Sequence, residues 1–176
     1  MKKVSYSLIC LIGLSACSSE NVVLGGLKVY EVSNSTCKAS FSQTETHNDF
    51  YMKDYASPAT LNIELKTDGI AQCVLEDVKA NCAARNIFVN VTNQDHQVIL
   101  IVYQNPPESL ADCICNFDVN FKMSKLVPGN YHLKVYYAKT NMEYDESNIA
   151  YDGQVVLVQN QKVSVTFKSK MILPEM

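Results

Sequence analysis

The chain has 176 residues, 47% of them hydrophobic and 19% charged, with a formal charge of −3 from 15 basic and 18 acidic side chains. A single arginine, Arg85, and no basic stripe exclude a nucleic-acid binder, which needs many phosphate contacts and favours bidentate arginine. Six Gly and five Pro are too few for a disordered or collagen-like chain, whereas seven Cys, ten Tyr and no Trp stand out.

Met1-Lys2-Lys3 is a short positive segment, and Val4 to Ala16 is mostly apolar and free of charge. This run is shorter than the roughly 20 apolar residues that span a bilayer, so it reads as the hydrophobic part of a signal peptide. Leu14-Ser15-Ala16-Cys17 at its end resembles a bacterial lipobox. The resemblance implies cleavage before Cys17, a diacylglycerol on the Cys17 thiol and acylation of the new amine. Two or more chains, at about 0.8 kcal/mol per buried CH₂, hold a protein stably on a membrane. The expected organisation is a signal peptide over 1–16, a lipidated tether over 17–25 and one domain over 26–176. Loss of Lys2 and Lys3 moves the charge of the mature chain to −5. The expected place is the bacterial envelope, as an outer-membrane lipoprotein on either its periplasmic or its surface face.

Along the body the patterning has period two. Leu61, Ile63 and Leu65 alternate with polar residues, and so do Ala71, Cys73 and Leu75. Ile87, Val89 and Val91 form the next such run, leading into a turn at Asn93-Gln94-Asp95. Val98 to Tyr103 is continuously apolar, which predicts a central strand covered on both faces. Cys115 to Met123, Tyr131 to Tyr137 and Val163 to Phe167 alternate again. Val127-Pro128-Gly129-Asn130 has the residues of a type II turn, and Asn160-Gln161 suits a tight hairpin. Ser109 to Asp112 has room for one helical turn at most, and 36–59 is weakly patterned, either a long loop or an extra hairpin. Such spacing predicts an all-β fold, an antiparallel β-sandwich of about seven to nine strands with an immunoglobulin-like architecture.

With Cys10 removed and Cys17 lipidated, Cys37, Cys73, Cys82, Cys113 and Cys115 remain, and export favours disulfides. Cys113 and Cys115 would lie about 6.5–7 Å apart on one strand, at the limit for a bridge to each other. Cys82 is therefore expected to pair with Cys113 or Cys115, with Cys73 as partner for the remaining one and Cys37 unpaired. A thiolate metal site built from the Cys-x-Cys, Cys82 and either Cys73 or His96 is the alternative. No Cys-x-x-Cys exchange motif occurs.

Asn81-Cys82, the run Cys113-Ile114-Cys115-Asn116-Phe117-Asp118-Val119-Asn120-Phe121, and Leu126-Val127-Pro128-Gly129-Asn130-Tyr131-His132-Leu133 resemble small lipoproteins of Bacteroidales-type bacteria. Those share a Cys, a later Cys-x-Cys, an Asp and a Leu-x-x-Gly-x-Tyr ending. The resemblance covers about the middle third of the chain. It implies a β-sandwich in the envelope and brings no activity with it.

No motif of a hydrolase, a zinc protease or a phosphate-binding loop occurs. His96 falls in the expected turn, His132 on the polar face of its strand, and His47 in the weakly patterned segment. Glu143, Asp145, Glu146 and Asp152 read as a solvated hairpin loop. Tyr136, Tyr144 and Tyr151 flank that loop and are the candidate recognition aromatics, with Phe50, Tyr51 and Tyr55 elsewhere. The expected function is a lipid-anchored, non-catalytic binding module for an envelope protein or a glycan, with no cofactor, no metal and no catalytic residue. The alternatives are a small envelope hydrolase and a thiolate metal-binding lipoprotein. An exposed Tyr-lined patch favours binding; His132 or His96 converging with a carboxylate in a pocket favours the hydrolase.

Overall fold

A computed structural model describes residues 26–38, 40–42, 58–94, 97–105 and 108–172. Cys17 with the rest of the leader and tether, His47, His96, Phe50, Tyr51 and Tyr55 lie outside the described residues. The strands in chain order are β1 Lys28–Asn34, β2 Ser40–Ser42, β3 Pro58–Leu65, β4 Ala71–Asn81, β5 Ile87–Gln94, β6 Gln97–Gln104, β7 Cys113–Ser124, β8 Gly129–Tyr137, β9 Ile149–Leu157 and β10 Lys162–Lys168. Nine of them run seven residues or more; β2 has three.

They form two sheets, one ordered β1-β7-β4-β3-β10 with β2 also on β7, the other β5-β6-β8-β9. The inward residues named by alternation interlock between the sheets. Leu61, Ile63, Cys73, Leu75, Phe117, Val119 and Phe121 come from the first sheet, and Ile87, Leu100, Val102, Leu133 and Val135 from the second, in one shared core. This is the sandwich that the period-two patterning predicts. Its pairing is antiparallel apart from β6 and β8, which run parallel. They can do so because the chain leaves the second sheet after β6, crosses to lay down β7 in the first, and returns for β8.

Local chemistry differs from expectation at the connections. β9 and β10 belong to different sheets, so Asn160-Gln161 turns the chain between layers instead of closing a hairpin. Asn160 takes φ +59°, a region that Asn tolerates better than most residues. Gly129 is not at positive φ, so no type II turn forms there; the left-handed residue at this corner is Lys125, φ +62°. The bend is fixed by Tyr131, whose hydroxyl donates to the Val127 carbonyl at 2.6 Å and accepts from the Val127 N–H at 3.0 Å. Ser109 to Asp112 forms no helical turn, and β9 occupies residues read as loop. The expected central strand is confirmed: in β6, Val98, Leu100 and Val102 face the main core, and Ile99 and Ile101 face a second cluster on the outer side.

Candidate functional site

That second cluster exists because the β8–β9 connection folds back over the sheet. Ile99, Ile101, Tyr136 and Ala138 are buried beneath it, with Tyr103, Tyr144 and Ile149 packed alongside. Tyr144 stacks on Tyr136 with ring centroids 4.3 Å apart. The Tyr136 hydroxyl donates to Glu146 Oε2 at 2.6 Å. Burial, then this carboxylate contact, push the Tyr136 pKa well above the ordinary tyrosine value. Asp145 Oδ1 accepts from the Ser147 N–H at 2.8 Å and caps the short 3₁₀ turn Glu146–Asn148. The same bond lowers the Asp145 pKa. Lys139 and Glu143 pair at 3.8 Å across one turn of the loop, and Met142 Sδ lies 3.3 Å from Asn90 Nδ2 on β5. Of the four carboxylates read from the sequence as a solvated loop, Glu143, Asp145 and Glu146 are exposed there and also brace the strap, whereas Asp152 lies on β9.

Between this strap, the end of β8 and Met171 opens a cleft of about 720 Å³. Tyr137 and Tyr144 form part of its wall, and Glu143, Asp145, Glu146 and Lys139 line it. Its volume falls in the range of about 300–1,000 Å³ usual for a small-ligand site, and its lining is more polar than most, with Lys139, Glu143, Asp145, Glu146 and Ser147 around Tyr144. The Tyr137 ring itself lies in the main core between the sheets, where burial raises its pKa, so Tyr144 is the aromatic ring that the strap brings to the cleft.

The three candidate tyrosines meet different fates. Tyr144 is half-buried and reaches the cleft. Tyr136 is 1% exposed, so it supports the strap and is not a surface platform. Tyr151 packs inward on Phe167, centroids 5.9 Å apart, where β9 lies beside β10. A pair missed in the sequence, Phe88 and Tyr103, stacks across β5 and β6 at 5.4 Å. The period-two pattern alone puts both on the outer face, and their direct register gives the pair.

His132 contacts Asp152, a diagonal neighbour on β9. The convergence named for a hydrolase is therefore half met. The pair stands on the open face of the sheet, flanked in register by Gln97 and Gln154, and outside the cleft.

The cysteines gather at the other notable place, the start of β7. Cys82 bonds Cys113, one of the two partners expected for it, with Cα atoms 5.6 Å apart. Cys115 bonds Cys37, Cα atoms 5.4 Å apart, which corrects the expectation that Cys37 is unpaired. Cys73, expected to supply a partner, is free and buried in the core. The reason is topological. Cys73 sits opposite Phe121, six residues up β7 from Cys115, while residues 35–38 run back along β7. Ser35 N–H donates to the Asp118 carbonyl and Lys38 N–H to the Asn116 carbonyl, which sets Cys37 beside Cys115. Lys38 then bridges Asp118 at 2.6 Å and Asp77 at 2.8 Å. Burial works against its charged form, but these two carboxylates outweigh it and the Lys38 pKa rises. Burial also pushes the Cys73 thiol far up, leaving it a small apolar core residue. Among the described residues, no group of three or more His, Cys, Asp or Glu is placed to hold a metal ion. No helix among them is long and apolar enough to cross a membrane.

No protein-family model, curated protein or solved structure matches this chain.

Proposed function

We propose that this chain is a lipid-anchored protein of a bacterial envelope that acts by binding, and that the cleft beside Tyr144 takes a sugar. The observation that carries the reading is the cleft itself: the Tyr144 ring beside carboxylates and an ammonium group. Aromatic faces pack on the apolar side of a pyranose, while carboxylates accept hydrogen bonds from its hydroxyl groups. The lipobox-like Leu14-Ser15-Ala16-Cys17 supports the anchor. Two disulfides between four cysteines support a destination outside the reducing cytosol.

Two measurements test this. Intact mass of the protein purified from membranes should show residues 1–16 missing and acyl chains on Cys17; an unmodified Cys17 overturns the anchor. A glycan array probed with detergent-solubilised protein, beside a pull-down from solubilised membranes, tests the ligand. A blank array with a specific co-purifying protein moves the reading to a protein partner. Nothing on either removes the binding reading.

A further inference from the structure

Cys115 Sγ lies 3.0 Å from Cys82 Sγ, although the two belong to different disulfides. Neither sulfur carries a proton, so this is direct contact between two bonded sulfur atoms. The four sulfurs form a chain: Cys37 bonded to Cys115, Cys115 touching Cys82, Cys82 bonded to Cys113. Exposure falls from Cys37 to Cys115 and rises again beyond it. Cys37 is exposed, Cys115 is 1% exposed inside the core, and Cys82 and Cys113 are intermediate.

We propose that this cluster is a thiol–disulfide exchange site, entered at Cys37 by an external dithiol and relayed through Cys115 to Cys82. The dithiol's thiolate attacks the Cys37 sulfur, forms a mixed disulfide there, and expels Cys115 as thiolate. That thiolate is poorly solvated among apolar neighbours and sits in contact with Cys82, so the next attack is intramolecular and fast. It forms a Cys82–Cys115 bond and expels Cys113, which takes a proton from water. The second thiol of the dithiol then attacks its own sulfur in the mixed disulfide and releases Cys37. Two electrons and two protons have entered the chain, and the dithiol leaves as a disulfide. The product carries thiols at Cys37 and Cys113 and a Cys82–Cys115 bridge. Sequence spacing hides such a site because it uses no Cys-x-x-Cys; its members come from the segment 35–38 after β1, the residue that follows β4, and β7.

The test is limited reduction of the oxidised protein. One equivalent of dithiothreitol is added at pH 8, exchange is stopped with acid, and the denatured chain is alkylated at low pH. Tandem mass spectrometry then locates each alkyl group, with Cys73 labelled in every case. The expected product is labelled at Cys37 and Cys113, with Cys82 bridged to Cys115. Labels at Cys37 and Cys115 show two independent disulfides and overturn the relay. So do labels at Cys82 and Cys113, simultaneous opening of both bonds, or resistance of both to reduction. A second arm uses Cys37→Ser, which leaves Cys115 a thiol from the start. Equilibrated at pH 8, this variant should contain a Cys82–Cys115 population with free Cys113. Only Cys82–Cys113 with free Cys115 contradicts the proposal.

Discussion

Tyr131 shows how much one hydroxyl fixes. Its two bonds to Val127 clamp the passage from the first sheet to the second, where Leu126 is buried at 2% exposure. Tyr131→Phe leaves the ring in the core and strips both partners from the Val127 peptide groups. The expected cost is about 1–3 kcal/mol in urea unfolding, with an unchanged m-value. Gln104 makes the opposite case. It is fully buried at the end of β6, and neither amide atom has a hydrogen-bond partner. Gln104→Leu removes that penalty at similar volume, so the variant should unfold at higher denaturant, by about 1 kcal/mol or more. The Leu-x-x-Gly-x-Tyr spacing was visible in the sequence; Gln104 was not, because a polar residue ending a strand normally marks its exit to solvent.

At the level of elements, strands were readable where alternation keeps one phase. β3, β5, β7, β8 and β10 each do so along most of their length. β4 does not, which explains why its pattern stops at Leu75. The pairing with β7 slips between Leu75 and Val78, and Asp77 takes φ +60° at that bulge. The inward set then changes from Ala71, Cys73 and Leu75 to Val78 and Ala80. β1 slips in the same way between Tyr30 and Ser33, with Glu31 at φ +51°. β9 was hidden by Asp152 and Gly153, which strands disfavour but an edge strand tolerates. The disulfide pairing depended on these long-range registers, so sequence spacing left Cys82 with either Cys113 or Cys115 and missed Cys37–Cys115. The Cys82–Cys113 bridge closes a separation of 31 residues. The double variant Cys82→Ala, Cys113→Ala should lose about 3–4 kcal/mol in guanidinium unfolding, following chain entropy.

At the scale of the whole molecule, three buried tyrosines respond to pH in one direction. Burial raises the pKa values of Tyr131, Tyr136 and Tyr137 above the ordinary 10.0. A raised value means that the folded state favours the protonated form. This contribution is complete below pH 10 and is lost as pH climbs through the folded values. Lys38, also raised, adds to the same loss. The protein should therefore unfold at alkaline pH, above about 10. Tyrosinate absorbance from these three buried rings should rise cooperatively, together with loss of the β-sheet circular-dichroism signal. A single gradual titration with the fold intact contradicts that assignment.

The binding reading unites these scales: residues hold a strap, the strap covers one sheet, and the covered sheet forms one wall of a cleft. Titration calorimetry of the detergent-solubilised protein tests it most directly, using a glycan found on the array. The wild type is compared with Tyr144→Ala and Glu143→Gln, with Tyr103→Ala as a control outside the cleft. The account predicts that the first two weaken binding by about fivefold or more, the worth of one central contact of over 1 kcal/mol, while Tyr103→Ala leaves it unchanged. Equal affinity in Tyr144→Ala and the wild type, or loss confined to Tyr103→Ala, would place the site elsewhere and contradict it.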